Sequence, residues 1–71
     1  MLKSHRYVIN RSVIVNLTSG SAIAGVVVRQ SGPLLILKAA NLHTPGASSP
    51  TPIDGEAVVH ADTVDFIQIP S

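Results

Sequence analysis

The sequence has no cysteine and no tryptophan. Without cysteine, disulfides and zinc–thiolate centres are excluded. Aromatic side chains are almost missing too: Tyr7 and Phe66 are the only two. A nucleic-acid surface built on base stacking needs more of them. Charge is scarce, at 13% of residues, and the net charge is only +1. Five scattered cations are a thin electrostatic footprint for a dedicated nucleic-acid binder. Long apolar runs are absent as well. The longest are Ala22 to Val28 and Pro33 to Leu37, against the roughly 20 residues of a membrane-spanning helix. Leu2 to Asn10 is too polar for the core of a signal peptide. The expected location is the cytoplasm, or the inside of a viral particle if the chain is phage-encoded, with no membrane partner.

Chemistry-bearing constellations are missing in the same way. His5, His43 and His60 have no metal-ligand spacing. Asp62-Thr63-Val64-Asp65 lacks the glycine and further oxygens of a calcium loop. No Gly-x-Ser-x-Gly elbow occurs. Gly20 and Gly25 share the spacing of a phosphate loop, but Val26 stands where lysine is required. The expectation is a protein that is not an enzyme, with no catalytic residue, no metal site and no cofactor.

What is present is hydrophobic: 45% of the 71 residues. That is too apolar for a disordered chain. It is greasy for a single small domain, which leaves a large share of its surface exposed. Burial against other copies or another protein is the natural remedy. The charges are split along the chain. Lys3, Arg6, Arg11, Arg29 and Lys38 lie in the first 38 positions, and Asp54, Glu56, Asp62 and Asp65 in the last 18. The split lets one copy's basic side meet the next copy's acidic side, or makes two ordinary solvated faces.

Periodicity organises one domain, 1–71. Leu2 to Ile9 gives a weak signal, a helical turn or two or an irregular arm. Val13, Val15 and Leu17 alternate with Ile14 and Asn16, as in a strand. Thr18 to Ser21 is a turn in which Gly20 takes positive φ. Ile23 to Gln30 is a second strand, where Gly25 marks a bend or a close backbone approach. After the turn Ser31-Gly32-Pro33, Leu34 to Ala40 forms a third strand without alternation, so both its faces should be covered. Residues 41–55 hold three of the five prolines and read as a long loop. Glu56 to Val59 and Val64 to Ile69 are two further strands around the turn His60 to Thr63. In the last strand, alternation puts Val64 and Phe66 on one face, with Phe66 in the core. It puts Asp65, Ile67 and Ile69 on the other. Tyr7 is left to cap an open end or to anchor a partner. The fold class is all-β: a small, strongly bent, five-stranded antiparallel barrel with a short N-terminal helix as an option.

Two segments carry a family resemblance. "VIVNLTSGSAIAGVVV" has an alternating strand, a turn glycine at Gly20 and a second glycine at Gly25. "VVHADTVDFIQIP" has an apolar pair, a short turn and a strand of branched residues. Together they resemble the two motifs of the Sm-like barrels, over about Val13 to Pro70 with the long loop as an interruption. His60 and Ala61 stand where that family has arginine and glycine. The resemblance implies an Sm-like or SH3-like barrel. It also implies a ring in which the fourth strand of one copy pairs with the fifth of the next. That interface would be carried by Ala57, Val58, Val59, Asp65, Ile67 and Ile69. The family's RNA pocket implies a weaker alternative role for Arg29, Gln30 and His60, because the loop "RQSGPLL" has no Asp or Asn. The leading functional expectation is therefore a self-associating, non-catalytic protein with a structural or protein-binding role. An accessory protein of a phage particle is one concrete setting. The alternative is an RNA-binding ring with a diverged pocket.

Overall fold

The computed structural model describes residues 6–70. They form an all-β domain, one six-stranded antiparallel sheet with no α-helix among the described residues. After a 3₁₀ turn at Arg6–Val8 come β1 (Ser12–Leu17), β2 (Ala22–Ser31) and β3 (Leu34–His43). Then follow β4 (Thr51–Pro52), β5 (Glu56–His60), a second 3₁₀ turn at Ala61–Thr63, and β6 (Val64–Gln68). The helical option at the N-terminus reduces to that first turn, and the rest of that segment lies outside the described residues.

The strands pair in the order β4-β3-β2-β1-β6, and β5 lies beside β3 along a different stretch from β4. The sixth strand is a correction to the expected five. β3 continues to His43, and Thr51–Pro52 pairs with Asn41 and Leu42. The reason is local. β2 and β3 lose register between Ala24 and Val26, where Ala39 adopts φ 51°. A bulge of this kind bends a strand without ending it. What looked like a loop from 41 onward thus begins as sheet.

Gly25 sits at that irregularity, and its missing side chain is used. A Cβ there would meet the Lys38 carbonyl oxygen at 3.0 Å and Ala40 at 3.2 Å. The expected close approach is therefore present. Gly20 also takes its expected positive φ, at 96°.

The core lies on one face of the sheet. Val13 and Val15 of β1 meet Ile23 and Val27 of β2, Leu35, Leu37 and Ala40 of β3, and Ala57 and Val59 of β5. Val8, from the first 3₁₀ turn, closes one side of the cluster. Strand alternation explains the choice in β1 and β5, where every second residue is buried. In β3 the run Leu35, Ile36 and Leu37 is buried on both faces, as the lack of alternation suggests. The described residues contain no buried polar or charged side chain. The interior thus rests on apolar contact, worth about 25 cal/mol per Å² removed from water.

Candidate functional site

β5 and β6 are two of the strands at the ends of the sheet, the third being the two-residue β4. β5 bonds to β3 only, and β6 to β1 only, so each leaves one row of backbone groups without a strand partner. Such an edge is a template for another chain unless it is short, charged or covered. Both strands have five residues and are joined by the 3₁₀ turn. Neither carries lysine or proline.

The side chains on these edges mark them further. Three large hydrophobic residues are exposed among the described ones: Tyr7 (72%), Val58 (58%) and Phe66 (54%). Two of the three are on β5 and β6. Val58 is outward by simple alternation, between buried Ala57 and Val59. Phe66 corrects the expectation that it lies in the core. Leu17 pairs with Val64 but Asn16 pairs with Phe66, so one extra residue, Asp65, enters β6 opposite β1. That shift breaks the alternation and turns Phe66 out. Val64, Ile67 and Ile69 are half-buried against the core, and Asp65 is exposed. Ile67 and Ile69 therefore do not share an outward face with Asp65. Ile69 also lies beyond the strand, which ends at Gln68.

The six proposed interface residues are thus placed in three ways. Ala57 and Val59 belong to the core. Val58 and Asp65 are exposed. Ile67 and Ile69 cover the edge of the core from β6.

Arg29, Gln30 and His60 sit near one end of the sheet. The register aligns Arg29 with Ile36 and then Val58, and Leu34 with His60. Arg29 and His60 therefore share the outer face. Gln30 pairs with Leu35 and so falls on the other face. The Arg29 guanidinium lies 3.6 Å from the Glu56 carboxylate, both well exposed. The Gln30 amide donates to the Gly32 carbonyl at 3.2 Å. His60 acts locally: its Nδ1 accepts the Asp62 N–H at 3.2 Å, and its carbonyl accepts the Thr63 hydroxyl at 2.8 Å. Accepting at Nδ1 puts the proton of the neutral ring on Nε2. These bonds cap the second 3₁₀ turn and set the angle between the two edge strands.

Sequence reasoning missed the Arg29–Glu56 pair, because its partners lie 27 positions apart and meet only through β3. It also missed the stacking of Arg11 over Tyr7, 4.5 Å from the ring centroid. The four-residue spacing was a usable signal for that contact.

No group of three or more metal-ligating side chains occurs among the described residues. An open groove of about 420 Å³ crosses β1, β2 and β3 beside Pro70, lined mainly by Ile14, Val26, Ala24 and Ala39. Its polar side chains are Ser12 and Asn41, and no titratable group lines it. No described helix is long and apolar enough to cross a membrane. No protein-family model matches the chain, and no curated protein is similar to it at a significant level.

Proposed function

We propose that this protein is a diverged Sm-like barrel that self-associates through its β5 and β6 edges and serves a structural or protein-binding role without catalysis. One observation carries the reading: of the three strands left open at the ends of the sheet, β4, β5 and β6, the two five-residue ones each expose a large hydrophobic side chain. The bulges in β2, β3 and β6 support a strongly bent, barrel-like sheet. The strand order supports the resemblance, since β5 and β6 hold the places of the strands that join neighbouring copies in that family. Heterologous edge-to-edge pairing of this kind closes into a ring when the rotation allows. A setting within a larger assembly, such as a phage particle, accords with the sparse charge and the apolar edges.

Light scattering and native mass spectrometry test the reading. The expected result is a discrete oligomer at micromolar concentration. A stable, soluble monomer under those conditions overturns it.

An RNA-binding ring is the second reading, and the shared face of Arg29 and His60 is what favours it. Titration with oligo-U and oligo-A at low and moderate salt separates the two. Binding weakened by both Arg29→Ala and His60→Ala supports the RNA reading, and no binding at low salt ends it.

A further inference from the structure

The outer face of the sheet carries a projection and a hollow close together. Phe66 pairs with Asn16, the next outward residue along β1 from Ile14. Ile14 pairs with Ala24 of β2, and Ala24 with Asn41 of β3. The groove of about 420 Å³ lies there, bounded further by Val26, Ala39 and Pro70. It is hollow because Ala24 and Ala39 carry only methyl groups between longer side chains. Phe66 is 54% exposed, so an uncovered ring stands on the same face as a hollow that can hold one.

The chemistry of the hollow selects its occupant. Ser12 and Asn41 are its polar side chains, and no titratable group lines it. Such a site takes a neutral apolar group and resists a charge, which would lose its water there. Three large hydrophobic side chains are exposed among the described residues. Tyr7 is already stacked under Arg11, and Val58 sits on β5, apart from the groove strands. Phe66 combines an uncovered ring with a place on the groove's own face. It cannot fill its own groove, because two strand spacings and one side-chain repeat hold its Cα about 12 Å from that of Ala24.

The charges at the two ends of this face differ in sign. Lys38 pairs with Val26 at the groove end, and Asp65 adjoins Phe66 at the other. Both are exposed, and neither makes an ion pair among the described residues.

We propose that a second copy of this chain docks on the outer face, each copy placing its Phe66 ring in the other's groove. A two-fold axis lying in the interface, midway between ring and groove, makes both insertions by one operation, as an isologous contact requires. The same operation turns the Lys38 end of one copy towards the Asp65 end of the other. Opposite charges then meet at the rim, where the polar groups of an interface collect. The contact uses no open backbone edge. It therefore goes beyond the edge-to-edge association and stands or falls without it.

Gln68 lies on β6 between Phe66 and Pro70, on the way from ring to groove, and so beside the axis. The chain has no cysteine of its own. Gln68→Cys is compared with Ser49→Cys, in the exposed stretch 43–52, under mild oxidation by non-reducing gel and intact mass. The first variant should form a covalent dimer at least tenfold faster than the second. A smaller advantage overturns the proposal, because edge-to-edge pairing sets Gln68 against a different residue of the neighbour.

Ala24→Glu puts a charge into the groove from β2, away from every open edge. It should weaken self-association at least tenfold in light scattering at graded concentration. Lys38→Asp should weaken it as well, and adding Asp65→Lys should restore it. A folded Ala24→Glu variant that assembles like the parent overturns the proposal, and absence of the charge-reversal rescue overturns the two-fold arrangement. An edge-joined oligomer that fails these tests removes this contact alone; a parent that stays monomeric removes the edge association as well.

Discussion

β5 and β6 have equal lengths and equivalent places at the ends of the sheet, yet they are built differently. β5 alternates without a fault, buried at Ala57 and Val59 and exposed at Glu56, Val58 and His60. β6 contains a bulge, keeps no side chain fully buried, and turns its one aromatic residue to solvent. β5 thus holds the core from inside the sheet, whereas β6 is laid over its rim. The stability of the fold should reside more in β5, and the association more evenly in both.

Substitutions can break that contrast. The largest effect on folding is expected for Ile67→Lys. Ile67 packs against the core, so a charge there must be desolvated or expel the strand. A loss of roughly 2–4 kcal/mol in denaturant titration is expected, together with loss of the oligomer. A variant as stable as the parent would show that β6 contributes nothing to the core. Val59→Ala comes next. It removes two methylene equivalents from a site only 4% exposed, at a cost of about 1–3 kcal/mol. Ile67→Ala should cost less per atom removed, because its site is half-buried; a larger loss than at Val59 would invert the comparison.

Val58→Asp and Phe66→Asp should separate association from folding. Each is expected to change stability by less than about 0.5 kcal/mol, as exposed positions do. Each should also weaken association at least tenfold, read from the concentration dependence of light scattering. If only one does so, the two edges do not meet each other. The smallest effect belongs to Arg29→Ala. The Arg29–Glu56 pair is exposed on both sides, and such pairs contribute about 0.2–1 kcal/mol at most. Its removal should leave both melting and association nearly unchanged.

The same contrast shows what the sequence makes legible. Strict alternation is a backbone property written directly in residue order: in β1 it set Val13 and Val15 on one face, the face that is buried, whereas in β5 it was not used, and Ala57 and Val59, expected at an interface, alternate into the core. Gly25 was legible because a missing Cβ has few other uses inside a strand. Phe66 was not, because one inserted residue at Asp65 reverses every face assignment on one side of it, and a bulge has no composition of its own. The extension of β3 to His43 was hidden for a related reason: Ala39 and Ala40 carry little strand preference, and the turn residues that follow suggested an earlier end.

Residues 43–52 are all exposed, and nothing lies within 4 Å of the space a side chain would take at Gly46. Beyond His43, residues 44–50 belong to no strand, and the chain returns to β3 at Thr51–Pro52. A foreign peptide spliced between Ser48 and Ser49 would leave the core and both edges intact. Every copy in an assembly would then carry the insert at the same place, turning a plain surface tip into a regular array of displayed ligands.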